Sequence, residues 1–284
     1  LIAIAKAAGI IINWDDFSEL SDLIPLLTRV YPNGAADVNH FHAAGGMSFL
    51  IYTLLENGLL HNDVNTILGF GLNKYTKEPK IKENKLVWVE GSKKSLNDSI
   101  IRKVSNPFQL KSGLRMMSGN IGRAVMKISA IDSKQMIIKA EAIVFEEQDD
   151  LIKAFNNNEL DKDFIAVLPF QGPKQNGMPE LHQLTPTLTI LQRRGFKVGL
   201  ITDGRMSGAS GKIPAAIHVV PEARDGGLIS KIKTGDIILM NAITGELKCM
   251  EEYVNNRAIK TKDNGNVFGL GRELFFNMRT QVSS

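Results

Sequence analysis

The sequence predicts a mixed α/β protein. A helical segment covers residues 1–75, a linker 76–105, and a closed or nearly closed β-barrel 106–284. Three observations lead there. Apolar residues recur at helical spacing in the first part. Residues 76–99 are rich in Lys, Glu, Asn and Ser. From Asn106 onward many short β-like runs follow one another, punctuated by Gly, Asn and Asp, with few helices between them.

Taken in order, LIAIAKAAGIIINW is the most apolar stretch. Lys6 interrupts it, no basic region precedes it and no small-residue cleavage site follows, so it is expected to be a buried helix and not a signal peptide. The chain opens on Leu1 within that helical pattern and without an N-cap, which is the expectation for a fragment. Leu50, Leu54 and Leu55 mark a further helix, with Gly58 as its C-cap. KEPKIKENK and GSKKSLNDS, with the short strand LVWVE between them, form the linker or surface excursion. The strands expected beyond it are AVMKISAI, QMIIKAEAIVF, FIAVLPF, KVGLITD, AIHVV, DIILMNA and the stretch around GELKCMEEY. Helices are expected over 147–156 and roughly over 180–194, the second ending at Arg193, Arg194 and Gly195.

Composition excludes several classes. At 284 residues, 43% hydrophobic and 23% charged, the chain has the balance of an ordinary globular protein. No apolar run reaches the roughly 18 residues of a membrane span. The net charge of +4 comes from scattered Lys and Arg with no aromatic-interleaved stripe, which argues against nucleic-acid binding. The single cysteine, Cys249, rules out an internal disulfide and a cysteine-based metal site, and is expected to be a small core or edge residue.

Three segments carry candidate chemistry. In GLITDGRMSGASGKIPAAIHVVPEARDGG (199–227) an apolar strand ends at Asp203, and Gly204, Gly208 and Gly211 let the backbone approach a ligand. Arg205 and Lys212 bring charge suited to a carboxylate or phosphate, and Ser207 and Ser210 bring hydroxyls. A Walker loop fails here, because Met206 and Ile213 stand where Gly and Ser or Thr are required. GLGREL (269–274) fails the dinucleotide fingerprint at Leu274. On residues alone, the 199–227 loop is either a ligand loop or a plain turn between strands. In PFQGPKQNGMPELHQLTPT (169–187), Glu180 is placed at a helix start, as a first-turn carboxylate or a hard-metal ligand. In YPNGAADVNHFHAAGG (31–46), His40 and His42 are two residues apart and would face the same way on a strand. That suits metal or anion binding, or paired structural histidines at a domain seam.

Together these runs resemble the dihydroxyacid and 6-phosphogluconate dehydratase family. ITDGRMSGASGKIPAAIHVVPEA carries most of the resemblance, and NGMPE, GNIGRAVMKIS and GDIILMNA occur in the family's order. PNGAADVNHFHAAGG, SGASGK and the terminal FGLGRELFFNMR look like the phosphogluconate branch. The resemblance implies a barrel similar to the swivelling domain of aconitase, preceded by the helical end of an α/β N-terminal domain. It implies dehydration of 6-phospho-D-gluconate to the 2-keto-3-deoxy acid in the Entner–Doudoroff route, with a [4Fe-4S] cluster as Lewis acid. Ser207 matches the serine proposed as base, and Glu180 matches the Mg²⁺-type carboxylate ligand of the other branch. Arg205, Ser210 and Lys212 are candidate substrate contacts, with His40 and His42 behind them.

The cluster cysteines of the family precede residue 1, and Cys249 matches none of them. This chain alone is therefore expected to bind no cluster and to be inactive. The implied protein is a cytoplasmic homodimer acting on a phosphorylated sugar acid, without nucleic-acid or membrane partners. Exposed apolar surface is expected on residues 1–75, where that segment lacks its neighbours. The alternatives are a dehydratase of another sugar acid and a non-catalytic ligand-binding barrel.

Overall fold

The computed structural model describes residues 1–206, 211–262, 274 and 276–281. It has two compact units, Leu1–Gly113 and Leu114–Ser284.

The first unit begins with α1 (Ile2–Ala7), α2 (Trp14–Leu23), α3 (Val38–Ala43) and α4 (Gly46–Glu56). Asn13 caps α2, its side chain accepting from the backbone N–H of Asp15 and Asp16 while its own backbone N–H donates to the Asp16 carboxylate. α4 ends as its sequence predicts. Gly58 takes φ +68°, its N–H reaches the Leu55 carbonyl, and the Leu59 N–H reaches that of Leu54. That is a Schellman close. Two short strands follow, β1 (Asn65–Thr66) and β2 (Gly69–Phe70).

The stretch expected to be a linker is folded. β3 (Lys77–Lys82) and β4 (Lys85–Glu90) pair through six registered positions, and Glu83 and Asn84 turn between them with positive φ. A two-residue loop with both φ positive matches the twist of the strands it joins. The Ser48 hydroxyl donates to Glu78, so the hairpin belongs to the first unit. Its charged composition reflects two exposed faces. Phe49, Ala44, Ile100 and Ile101 form this unit's small core. Ile11 and Ile67 are 95% and 97% exposed, as expected of a segment short of apolar neighbours.

The second unit is a closed eight-stranded barrel. Its strands are β5 (Leu114–Gly119), β6 (Gly122–Lys127), β7 (Ile137–Val144), β8 (Phe164–Leu168), β9 (Val198–Thr202), β10 (Ala215–Val220), β11 (Ile237–Asn241) and β12 (Glu246–Cys249). Around the barrel they run β10-β6-β5-β12-β11-β7-β8-β9. β7, β8, β9 and β10 are mutually parallel, and most other neighbours are antiparallel. The apolar runs of the sequence fall on these strands, but β5, with Met and Ser in its pattern, was not foreseen.

Period-two alternation divides the barrel's apolar residues between two cores. Ile165, Val167, Ile201, Ala216, Ile238 and Met240 belong to the interior. Phe164, Ala166, Leu168, Val198 and Leu200 pack outward under α5 (Gln148–Asn156) and α7 (Leu184–Arg193). β8 and β9 are therefore buried on both faces, which is why they read as unbroken apolar runs. Two short α-helices, α6 (Pro173–Asn176) and α8 (Phe276–Gln281), are also present, along with short 3-10 turns. Among the described residues no helix is long and apolar enough to cross a membrane.

Candidate functional site

The parallel run β7–β10 brings four chain segments out at one set of carboxyl ends, where side chains that act on ligands gather in parallel sheets. Asp203 is the first residue past β9. It is 1% exposed and accepts three backbone N–H groups: Gln171 at 2.8 Å, Ala223 at 2.9 Å and Phe170 at 3.2 Å. One carboxylate thus ties the segment after β8 and the segment after β10 to the end of β9. Burial pushes its pKa up, against the pull of these N–H donors.

Glu222 makes the second tie. It is also 1% exposed and accepts the N–H groups of Lys174 (3.1 Å) and Gln175 (3.4 Å) in α6. Burial raises its pKa, and the Asp203 charge adds to that. A Cβ on Gly172 would lie 2.2 Å from the Glu222 Oε2, so only glycine lets the 169–176 segment close over the carboxylate. Gly204 serves the same end, since a Cβ there would meet the Gln171 Cβ at 2.7 Å.

On this frame sits Arg205. Its Nε donates to the Met178 carbonyl at 2.9 Å and its guanidinium to Glu180 Oε2 at 2.5 Å. Glu180 and Arg205 also form a parallel bridge, in which the Leu181 N–H reaches the Arg205 carbonyl. Two candidates 25 residues apart in sequence are thereby brought together. The expected placement of Glu180 at a helix start is corrected, because α7 begins only at Leu184. Glu180 answers to a guanidinium and not to a helix dipole.

His218 joins the group from β10. The β10–β6 register shifts between Ile217 and Val220, and His218 sits in this bulge with φ +56°. Its N–H donates to the Gly204 carbonyl at 2.9 Å. Burial, and then the Arg205 charge, lower its pKa.

Lys212 is exposed, on the return limb of the loop. Lys127, at the end of β6, lies beside Gly211, and burial lowers its pKa. Ser207 and Ser210 lie outside the described residues. His40 and His42 belong to the first unit and are not paired. They are on α3 and not on a strand, so two residues of separation put them about 200° apart around the helix axis. The His40 ring nitrogen lies 2.8 Å from the Asp37 carboxylate in the capping box of α3. The reading of a shared face is therefore corrected for both.

Sequence reasoning assigned no role to Asp203, Glu222 or His218. The signals were an acid directly after an apolar strand, an acid after Pro221, and a histidine inside AIHVV. Cys249 is buried on β12, as expected, and burial raises its thiol pKa. Among the described residues no three His, Cys, Asp or Glu side chains gather as a metal site.

Residues 1–75 match the dihydroxy-acid/6-phosphogluconate dehydratase N-terminal profile, and residues 99–284 match the C-terminal one. The phosphogluconate dehydratase of Pseudomonas aeruginosa is 51% identical over 100% of this chain and 47% of its own length. That of Escherichia coli K12 is 52% identical over the same shares. That of Rhizobium meliloti is 54% identical over 98% of this chain and 47% of its own. A dihydroxy-acid dehydratase of Sulfurisphaera tokodaii is 35% identical over 87% of this chain. The chain spans about half the length of the curated relatives it matches.

Proposed function

Because this chain belongs to the dihydroxy-acid/6-phosphogluconate dehydratase family, we propose that it is the C-terminal part of a hydro-lyase converting 6-phospho-D-gluconate to 2-dehydro-3-deoxy-6-phospho-D-gluconate. The observation that carries this is identity of 51–54% to phosphogluconate dehydratases over 98–100% of the chain, against 35% over 87% of it to a dihydroxy-acid dehydratase. Within this reading the barrel is the counterpart of the aconitase swivelling domain, and the enzyme is a cytoplasmic homodimer.

The described residues fit the work of binding and orienting an acid. Arg205 is positioned by the Met178 carbonyl at its Nε and by Glu180 at its Nη1, and its positive charge suits a substrate carboxylate. Lys212 and Ser210 are proposed phosphate or hydroxyl contacts, and Ser207, two positions after Arg205, is the proposed base toward the C2 proton. A serine hydroxyl reaches that role only where nearby cationic charge and loop N–H donors lower its pKa.

A [4Fe-4S] cluster takes about four cysteine thiolates, and this chain has Cys249 alone. The residues present do not fit the cluster, and its ligands in this reading lie in sequence beyond the chain. A hard divalent cation takes about six oxygen donors. Glu180 offers one carboxylate, which Arg205 engages; a divalent cation there would compete with the guanidinium for it and would draw its other donors from water and substrate.

The test uses the protein of the complete gene, purified anaerobically and assayed for 2-keto acid formation. Turnover of 6-phosphogluconate is expected, with this chain alone inactive. Turnover only of an unphosphorylated aldonate would move the reading to another sugar-acid dehydratase. Binding of a sugar acid without turnover would leave a ligand-binding barrel.

A further inference from the structure

In the first unit, residues 26–30 run between two other extended stretches. Leu26 pairs with Gln109 and Thr28 with Ile101, both antiparallel. The Phe108 N–H donates to the Leu26 carbonyl, the Arg102 N–H to that of Leu27, and the Arg29 N–H to that of Ile100. These bonds gather Arg29, Arg102 and Phe108 from three places in the sequence. The Arg29 guanidinium carbon lies 4.7 Å from the centre of the Phe108 ring, and that of Arg102 lies 4.1 Å from it.

One guanidinium over a ring is a common contact. Two over the same ring need a further reason, because each charge repels the other. Arg194, Arg205 and Arg257 each have a carboxylate partner. Among the described residues neither Arg29 nor Arg102 has one. Arg102 donates its Nε to the Asp98 carbonyl at 2.9 Å, which leaves its terminal nitrogens without a protein acceptor. The Arg29 side chain donates to no protein acceptor among these residues, yet its stem is held in place. The turn after it folds back through the Tyr31 N–H to the Ala36 carbonyl at 2.8 Å. A Cβ on Gly34 in that turn would lie 2.6 Å from the Arg29 carbonyl oxygen and 3.0 Å from the Arg29 Cβ.

We propose that Arg29 and Arg102 form a binding site for a phosphate group, with Phe108 as the platform that positions both guanidiniums. Their charges and open N–H donors call for an anion. A carboxylate has one charge and two oxygens, and one guanidinium fork satisfies it. A phosphate monoester has about two negative charges and three terminal oxygens, so it can accept from two forks and offset both charges. The site shares no residue with the Arg205–Glu180 group. It does not depend on the dehydratase reading, which supplies only the sugar phosphate used as a probe.

The test is titration calorimetry on the complete protein with inorganic phosphate, 6-phosphogluconate and, as the phosphate-free control, gluconate. In Arg29→Gln and in Arg102→Gln the Kd for inorganic phosphate is expected to rise about tenfold or more, with gluconate binding and unfolding temperature unchanged. Arg29→Lys, which keeps the charge and loses the fork, should fall between wild type and Arg29→Gln. An equal or larger loss of 6-phosphogluconate affinity assigns the site to a sugar phosphate. A loss confined to inorganic phosphate assigns it to the free ion. Wild-type phosphate affinity in both glutamine variants overturns the proposal, as does a wild-type protein that binds no phosphate. It is also overturned by an equal loss of gluconate binding, or by weakened binding only in variants whose unfolding temperature falls.

Discussion

At the scale of the residue, Asp203 carries the most structure for its size, one carboxylate holding three segments through three backbone N–H groups. In Asp203→Asn an amide N–H replaces one acceptor and faces a donor. The expected cost is about 1–3 kcal/mol of stability, measured by urea unfolding. The pH dependence has a definite sign. Burial raises the folded-state pKa above the ordinary 3.8, so the folded protein holds its proton more tightly than the unfolded chain. Stability therefore falls as pH rises from the ordinary carboxylate range through the raised pKa, then levels off once the folded carboxyl is ionised. Glu222, raised for the same reason, adds to the slope. The lowered His218 pKa contributes a rise of opposite sign below the ordinary 6.5, so the decline is read in the difference between the wild-type and Asp203→Asn unfolding curves across pH. An unchanged slope in the variant would assign the decline elsewhere.

At the scale of the element, the short segment from Gly172 through α6 works only because Glu222 and Gly172 share one space. Gly172 has φ −70°, so alanine there meets no backbone strain, and the whole penalty is the contact with Glu222. Gly172→Ala is expected to destabilise by about 1–3 kcal/mol. Glu222→Ala removes the clashing carboxylate. In the double variant the two losses should therefore sum to less than their separate values, by roughly 0.5 kcal/mol or more. Strict additivity in thermal or urea unfolding would show that the two do not meet. β8 and β9 supply the rigid base, since both their faces are buried.

At the scale of the whole molecule the two units differ in kind. The barrel closes its own backbone hydrogen bonds with strands drawn from residues 114 to 249, and it has an interior core and a helix-covered one. Residues 114–284 made separately are expected to unfold in one cooperative transition followed by circular dichroism. The first unit has a small core and leaves Ile11, Ile67 and Leu110 between 82% and 97% exposed. Apolar exposure of that extent favours association. The chain should bind an apolar fluorescent dye and self-associate in light scattering, and the 114–284 piece should do so far less. Equal dye binding by both would shift the exposed surface to the barrel.

Local pattern alone determined much of this protein. Alternation and apolar runs located seven of the eight barrel strands. Gly58 and Gly195 marked the ends of their helices, and the glycine-rich loop, with Arg205 and Glu180, was visible as chemistry. These features depend on neighbours in sequence, so periodicity and turn residues encode them. Residues 76–99 read as a linker or surface excursion holding the strand LVWVE, and that strand lies in a hairpin whose two exposed faces carry the composition of a loop. Tertiary structure decided the rest. That Glu180 answers to Arg205, that Asp203 and Glu222 gather five N–H donors from distant segments, and that His218 leaves its strand on a bulge are consequences of barrel closure. Closure sets contacts between residues tens of positions apart, and no local spacing records them.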